Sequence, residues 1–218
     1  MFTLIKREIE DHIAYFIGAV ILSGILIALS TLLAFHNYDS PNAPVLSIGL
    51  WIPAIIVLMI GLPGMGVSQM YTDRNRRISA FLSTLPVTRS RILAARIITG
   101  ILAILTFLVP LTITAMILLR IFAPAGSIYS IYFSIYSSFI FDIFWAVFLT
   151  SFACYCLGLQ TGWTSSRITP TLGGMALTFV LVPLIFVKGF GLHIVVILLL
   201  FIIASLTRTW HRFTSTSL

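Results

Sequence analysis

Charged residues are scarce in this 218-residue chain: only 9% of its residues are charged, while 59% are hydrophobic. A soluble domain carries about 25% charged residues and is less apolar than this chain. The mean hydropathy is +1.10, and several apolar runs exceed the roughly 18 residues that indicate a membrane-spanning helix. The composition therefore excludes a water-soluble fold and predicts an all-α polytopic membrane protein.

The motifs of several common enzyme chemistries are also missing. Neither of the two lysines, Lys6 and Lys188, follows a glycine, so the chain has no phosphate-binding P-loop. No histidine precedes a glutamate as in zinc proteases, and no Gly-x-Ser-x-Gly nucleophile motif occurs. Cys154 and Cys156 would lie about 200° apart around a helix, so they can neither bridge each other nor share a metal ion. We predict no catalytic residue, no metal site and no cofactor bound by this chain.

Six long apolar runs predict six transmembrane helices in a single transmembrane domain, 1–218. The predicted spans are 13–35, 45–69, 97–119, 139–159, 168–187 and 192–206. Only residues 188–191 separate the last two. These spans can therefore form either a tight helical hairpin or a shorter, re-entrant pair.

The basic residues predict the orientation. Thirteen Lys and Arg against six Asp and Glu give a net charge of +7. With the N-terminus in the cytoplasm, the inner segments hold all of these basic residues except Arg120 and Lys188, as the positive-inside rule requires. We therefore expect both termini to be cytoplasmic in the cell (inner) membrane. The same rule accounts for the basic charge without a nucleic-acid partner.

Residues 1–12 predict an amphipathic helix ahead of the first span. Its apolar residues recur in steps of three and four, and charged residues occupy the positions between them. Such a helix is expected to lie in the membrane interface. A solvated helical lead-in to the first span is an equally consistent interpretation.

The one sizeable cytoplasmic loop, 71–96, predicts a second amphipathic helix. Its apolar stripe has the spacing i, i+3, i+4 and i+7, formed by Ile78, Phe81, Leu82 and Leu85. Pro86 ends this helix, because the residue before a proline is disfavoured in the helical conformation. Thr88 can then cap the next helix, which leads into the third span. From periodicity alone, an ordinary positive-inside loop remains an alternative.

The outer end of the fourth span carries the remaining candidates. Segment 127–138 predicts an outer interfacial helix, since tyrosines such as Tyr132 and Tyr136 prefer the membrane boundary. The same tyrosines can instead line an exit for an amphiphilic solute. Asp142 lies near this end, and an acid at membrane depth is a functional candidate. It can act in a pathway or gate, pair with Arg120, or sit among the lipid headgroups.

Segment 81–96 resembles the coupling region of type-2 ABC exporter permeases. It reads Phe-Leu-Ser-Thr-Leu-Pro-Val-Thr-Arg-Ser-Arg-Ile-Leu-Ala-Ala-Arg. In that family an amphipathic helix ends in a Leu-Pro-Val-Ser/Thr-Arg phrase, and Gly/Ala followed by Lys/Arg opens the third span. The whole plan is similar too: an N-terminal interfacial helix, six spans and both ends inside. Two features depart from the family pattern, the arginines that replace an acidic stretch before the helix and the short connection between spans five and six.

The resemblance implies the membrane subunit of an ATP-driven exporter for an amphiphilic solute such as a drug, peptide, lipid or haem. ATP and Mg would bind to two copies of a separate ATPase subunit, and a second permease copy, alike or different, would complete the solute path within the membrane lipid. The residues that would contact the ATPase subunit are Arg74, Arg77, Ile78, Phe81, Leu82, Leu85 and Arg89. Asp142, Tyr132 and Tyr136 are the candidates for a pathway or gate.

Two other classes of function remain possible from the sequence. An integral membrane enzyme acting on lipid would need paired polar residues within the spans, which are few. A membrane anchor could recruit a soluble partner through the same loop without moving any solute. Solute-stimulated ATP hydrolysis by a reconstituted complex would separate the transporter from the anchor.

Overall fold

The computed structural model describes residues 2–36, 60–70, 89–122, 129–164 and 192–215, and the regular structure in these ranges is α-helical. The helices are α1 (Phe2–Asp11), α2 (Ile13–His36), α3 (60–70), α4 (Arg89–Phe122), α5 (Tyr129–Thr164) and α6 (Leu192–Ser215). The amphipathic segment predicted at the N-terminus is thus a separate helix, α1, and His12 marks the break before α2.

Four helices are long and apolar enough to cross a membrane, which supports the expectation of a multi-pass membrane protein. The spanning segments are Ile13–Phe35, Ser90–Ile121, Ile140–Gly162 and His193–His211. They contain or largely overlap the predicted spans 13–35, 97–119, 139–159 and 192–206. Predicted span 45–69 is described only from residue 60, and 168–187 lies outside the described residues together with the 188–191 connection. The total of six spans therefore stays a prediction.

Two spanning helices extend beyond the limits predicted from hydropathy. Helix α4 begins at Arg89, directly after the proposed cap at Thr88, and α5 begins at Tyr129. The predicted outer interfacial helix is therefore continuous with the fourth predicted span over its described residues, rather than a separate element. No glycine or proline occurs between Tyr129 and Leu157, so nothing in the local sequence interrupts the helix.

Helix α4 is the centre of the described bundle, since it contacts α1, α2, α5 and α6. Its buried side chains include Leu93, Ile104 and Phe107, and the main core forms where they meet Tyr155 and Leu159 of α5. A smaller core joins α5 to α6. Helix α2 buries much less of its surface and exposes many large aliphatic side chains, as expected for a helix whose outer face contacts lipid.

Glycines allow three helices to approach one another closely at one end of the bundle. A Cβ on Gly158 of α5 would overlap the Pro63 carbonyl oxygen of α3, and one on Gly162 would lie 2.9 Å from Met70 Cβ. Gly158 and Gly162 form the small-xxx-small spacing that brings helix backbones together in membranes. In α4, a Cβ on Gly100 would overlap the ring of Tyr155. The position of Tyr155 therefore depends on the absence of a side chain at residue 100.

We predict that Gly100→Ala lowers the free energy of unfolding by about 1–3 kcal/mol, the usual cost of overpacking a core. Gly18→Ala is the matched control, because nothing lies within 4 Å of a Cβ at Gly18. That variant should be neutral or slightly more stable, since Ala favours the helix over Gly. Thermal unfolding in detergent measures both, and equal melting temperatures would contradict the close packing of Gly100 on Tyr155.

Candidate functional site

An arginine is buried where α1, α3, α4 and α5 meet. Arg96 lies in the second turn of α4 and is only 2% exposed. A guanidinium at this depth in an apolar bundle is costly unless polar groups surround it. We call Glu8, Gln69, Met70, Arg96 and Tyr155 the polar cluster, because Glu8, Met70 and Tyr155 each contact Arg96 and Gln69 is linked to it through the Tyr155 hydroxyl group.

Glu8 supplies the carboxylate and thereby joins α1 to α4. Its Oε1 accepts a hydrogen bond from Arg96 Nε at 3.4 Å, and its backbone carbonyl oxygen lies 3.1 Å from His12 Nδ1. The other charges of α1 pair on its exposed side, Lys6 with Glu10 at 3.8 Å and Arg7 with Asp11 at 3.8 Å. Such exposed pairs contribute little to stability. Glu8 is thus the acid of α1 that faces the bundle.

Tyr155 connects three helices through one hydroxyl group. Its O–H lies 2.7 Å from Gln69 Oε1 of α3 and 2.8 Å from the backbone oxygen of Arg96 in α4. A hydroxyl has one proton to donate, so the two acceptors share it. Tyr155 is fully buried, and its ring packs against Phe152 with centroids 6.4 Å apart. The hydroxyl is therefore held between α3 and α4 from the side of α5.

The last residues of α3 complete the cluster. Arg96 Nη1 donates to Met70 Sδ at 3.2 Å, a weak contact because a thioether is a poor acceptor. Gln69 is 2% exposed, and its Nε2 has no hydrogen-bond partner among the described residues. Together these contacts attach the last described residues of α3 to the second turn of α4.

The polar cluster joins four helices, α1, α3, α4 and α5. Gln69, Arg96 and Tyr155 are almost completely enclosed, so a solute cannot reach them without separating the helices. Their contacts tie together the two helices that flank residues 71–88. The helices on either side of segment 71–88, which contains the predicted partner-binding stripe, therefore belong to one packed unit.

The structure describes only some of the predicted site residues. Arg74, Arg77, Ile78, Phe81, Leu82 and Leu85 lie outside the described residues, and Arg89 is the first residue of α4. Tyr132 and Tyr136 lie in the first turns of α5, and Asp142 is an exposed residue of the same helix. Within the described parts of α4 and α5, Asp142 and Arg120 form no ion pair. The alternative roles of Asp142 in a pathway or among headgroups stay predictions.

Sequence reasoning missed most of the polar cluster. The family phrase includes Arg96, and Glu8 is one of several charged residues in the N-terminal segment. No candidate site predicted from the sequence includes Gln69 or Tyr155. The sequence does contain a signal for Tyr155, because a tyrosine within an apolar span needs a partner for its hydroxyl. The sequence does not show that Gln69 and the Arg96 backbone are those partners.

We predict that Tyr155→Phe destabilises the protein by about 1–3 kcal/mol, because it leaves Gln69 Oε1 and the Arg96 carbonyl oxygen without this buried donor. Tyr15→Phe is the control, since Tyr15 is partly exposed on α2. Its melting temperature should stay close to that of the unmodified protein. Thermal unfolding in detergent provides the measurement, and an unchanged Tyr155→Phe protein would show that the hydroxyl does not hold the helices together.

Comparisons with models of protein families, with curated protein sequences and with solved structures each found no match at the threshold used. The features of this chain that bear on its function are therefore the phrase at residues 81–96, the arrangement of the described helices and the polar cluster, and Arg96 belongs to both the phrase and the cluster.

Proposed function

We propose that this protein is the membrane-spanning permease subunit of an ATP-driven exporter of the type-2 ABC class, which moves an amphiphilic solute with energy from a separate ATPase subunit. The observation that carries the proposal is the attachment of both flanks of residues 71–88 to the polar cluster. The segment with the family-like phrase is thus connected on both sides to helices of the polar cluster. A movement that a partner imposes on this segment would therefore be transmitted directly to those helices.

The contacts of the polar cluster explain how such a movement would be transmitted between the helices. Arg96 and Met70 tie α4 to the end of α3, Tyr155 ties both to α5, and Glu8 adds α1. A displacement of the loop would therefore move these helices together rather than bend one of them alone. Rigid-body movement of packed elements is a common way in which binding at one site changes another.

In this proposal the loop forms the ATPase contact. Ile78, Phe81, Leu82 and Leu85 would provide the apolar surface, and Arg74, Arg77 and Arg89 would steer the approach of an acidic rim. Two ATPase subunits would bind ATP and Mg and close on each other. A second permease copy would complete the solute path in the cell (inner) membrane, with both termini cytoplasmic.

The solute class rests on the apolar composition and on the outer end of α5. Asp142, Tyr132 and Tyr136 belong to the N-terminal part of this helix, which would be its outer end in the proposed orientation. An amphiphile such as a drug, peptide, lipid or haem would suit a wall with aromatic rings and few charges. Asp142→Asn in a reconstituted complex tests a charge role, which unchanged transport would exclude.

Purification from the native membrane in mild detergent, followed by mass spectrometry, tests the assembly. A soluble subunit that carries a P-loop and co-purifies in stoichiometric amount is the expected result, and the same preparation reveals any second permease. A clean chain without partners, repeated across gentle detergents, would contradict the proposal and favour a membrane enzyme.

Leu82→Asp or Phe81→Asp should abolish ATPase association, because each places a charge in the apolar contact, while the chain still inserts and folds. Ala80→Asp is the matched control: it adds the same charge at a position off the stripe and should co-purify normally. Normal co-purification of Leu82→Asp and Phe81→Asp with the ATPase would overturn the coupling assignment.

The polar cluster predicts a different defect. Tyr155→Phe leaves the loop sequence intact and should bind the ATPase at normal yield, but it loosens the connection between α5 and the helices that flank the loop. We expect slower solute-stimulated ATP hydrolysis by that complex, measured beside the Tyr15→Phe control. Equal rates for the two variants would show that force does not pass through Tyr155.

A further inference from the structure

A groove runs between α4 and α5 at the opposite end of α4 from the polar cluster. Its volume is about 440 Å³, and its walls include Val109, Ile113 and Ile117 of α4 and Phe141 and Phe144 of α5. Arg120 lies at its end. This volume falls in the range of small-molecule sites, about 300–1,000 Å³.

The position of the groove restricts what can fill it. Its lining residues all belong to the membrane-spanning segments Ser90–Ile121 and Ile140–Gly162. Ile113, Ile117 and Phe141 are each more than half exposed, so the groove is open toward the space around the bundle. For a membrane-embedded chain that space is hydrocarbon, and the molecules that reach it are lipids.

The length of the groove matches one leaflet. Val109 and Arg120 are about 16 Å apart along the axis of α4 at 1.5 Å per residue. Half of a bilayer's hydrocarbon core is about 15 Å. An acyl chain that follows the groove from Val109 would therefore bring its headgroup to the level of Arg120.

The charge at the end of the groove favours an anionic headgroup. Arg120 forms no ion pair with any carboxylate in the described part of the chain, and a guanidinium at the membrane boundary gains most from a bidentate phosphate contact. Asp142 follows Phe141 of the groove in sequence but lies on a different face of α5. It lies about 100° around α5 from Phe141 and about 160° from Phe144, so the acid leaves the groove's positive charge in place.

We propose that this groove binds one anionic phospholipid, with its phosphate on Arg120 and an acyl chain along the aliphatic and aromatic wall between α4 and α5. The site goes beyond the transport function proposed above and does not depend on it. The lipid belongs to the leaflet at the Arg120 end of α4, and it fills a surface that the described helices leave open.

Native mass spectrometry of the purified full chain, delipidated and titrated with phosphatidylglycerol or phosphatidylcholine, tests the site. The unmodified protein should retain one phosphatidylglycerol more tightly than phosphatidylcholine. Arg120→Gln should weaken phosphatidylglycerol binding roughly tenfold, as expected when one charged hydrogen-bond partner is lost, and should remove the preference for the anionic lipid. Arg91→Gln is the control, because it removes an exposed arginine from the other end of the same helix.

A second pair of variants tests the acyl chain. Ile113→Trp fills the groove and should weaken binding of both lipids, whereas Ile203→Trp adds the same bulk at an exposed position of α6 and should bind them normally. Both positions are exposed, so neither substitution disturbs the core.

Three results would overturn the proposal. If Arg91→Gln and Arg120→Gln weakened phosphatidylglycerol binding equally, the effect would come from the overall charge of the protein and not from Arg120. If Ile113→Trp and Ile203→Trp weakened lipid binding equally, the groove would not be the binding site. A protein that changes from dimer to monomer with Arg120→Gln or Ile113→Trp, with lipid retention unchanged, would show that a second copy of the chain fills the groove. A failure of ATPase co-purification would leave all these lipid results unaffected.

Discussion

The buried guanidinium of Arg96 is the constraint on which this end of the bundle depends. A cation enclosed by apolar helices must be surrounded by acceptors, because its transfer from water is otherwise prohibitively costly. Glu8 provides the charge, and its position on a short helix ahead of the first span requires α1 to lie against α4. The partner of Arg96 thus determines where the N-terminal helix is placed, in addition to any preference of that helix for the membrane interface.

The hydrogen bonds around Arg96 require unusually close helices, and glycines make that approach possible. Gly158 and Gly162 bring α5 against α3, and Gly100 makes room for the ring of Tyr155 on α4. Only at this separation can one tyrosine hydroxyl reach both Gln69 and the Arg96 backbone at 2.7 and 2.8 Å. Close packing and polar pairing are therefore one arrangement, since each is possible only with the other.

Each end of α4 carries an arginine, and the surroundings of the two arginines differ. Arg96 is enclosed and paired within the protein, so this end forms a unit of four helices to which residues 71–88 are attached. Arg120 is exposed at the end of an apolar groove and forms no ion pair within the described chain. The first arrangement suits the transmission of movement from a soluble partner, and the second suits recognition of a charged lipid. The same helix would thus connect the proposed ATPase contact with the surrounding membrane.

Hydropathy and local periodicity were sufficient to predict helical structure, the central part of each described helix that is long and apolar enough to cross a membrane, and a separate amphipathic α1. These properties depend on the residues within each segment. The polar cluster could not be predicted in the same way, because Glu8 and Arg96 are 88 residues apart and Tyr155 and Gln69 are 86 apart. Which polar groups meet depends on how the helices cross and how closely their glycines let them approach. The sequence by itself determined that these segments form helices long and apolar enough to cross a membrane; only the tertiary structure decided that Glu8 and Tyr155 meet at Arg96, because a helical period says which residues share a face but not which face of another helix they will meet.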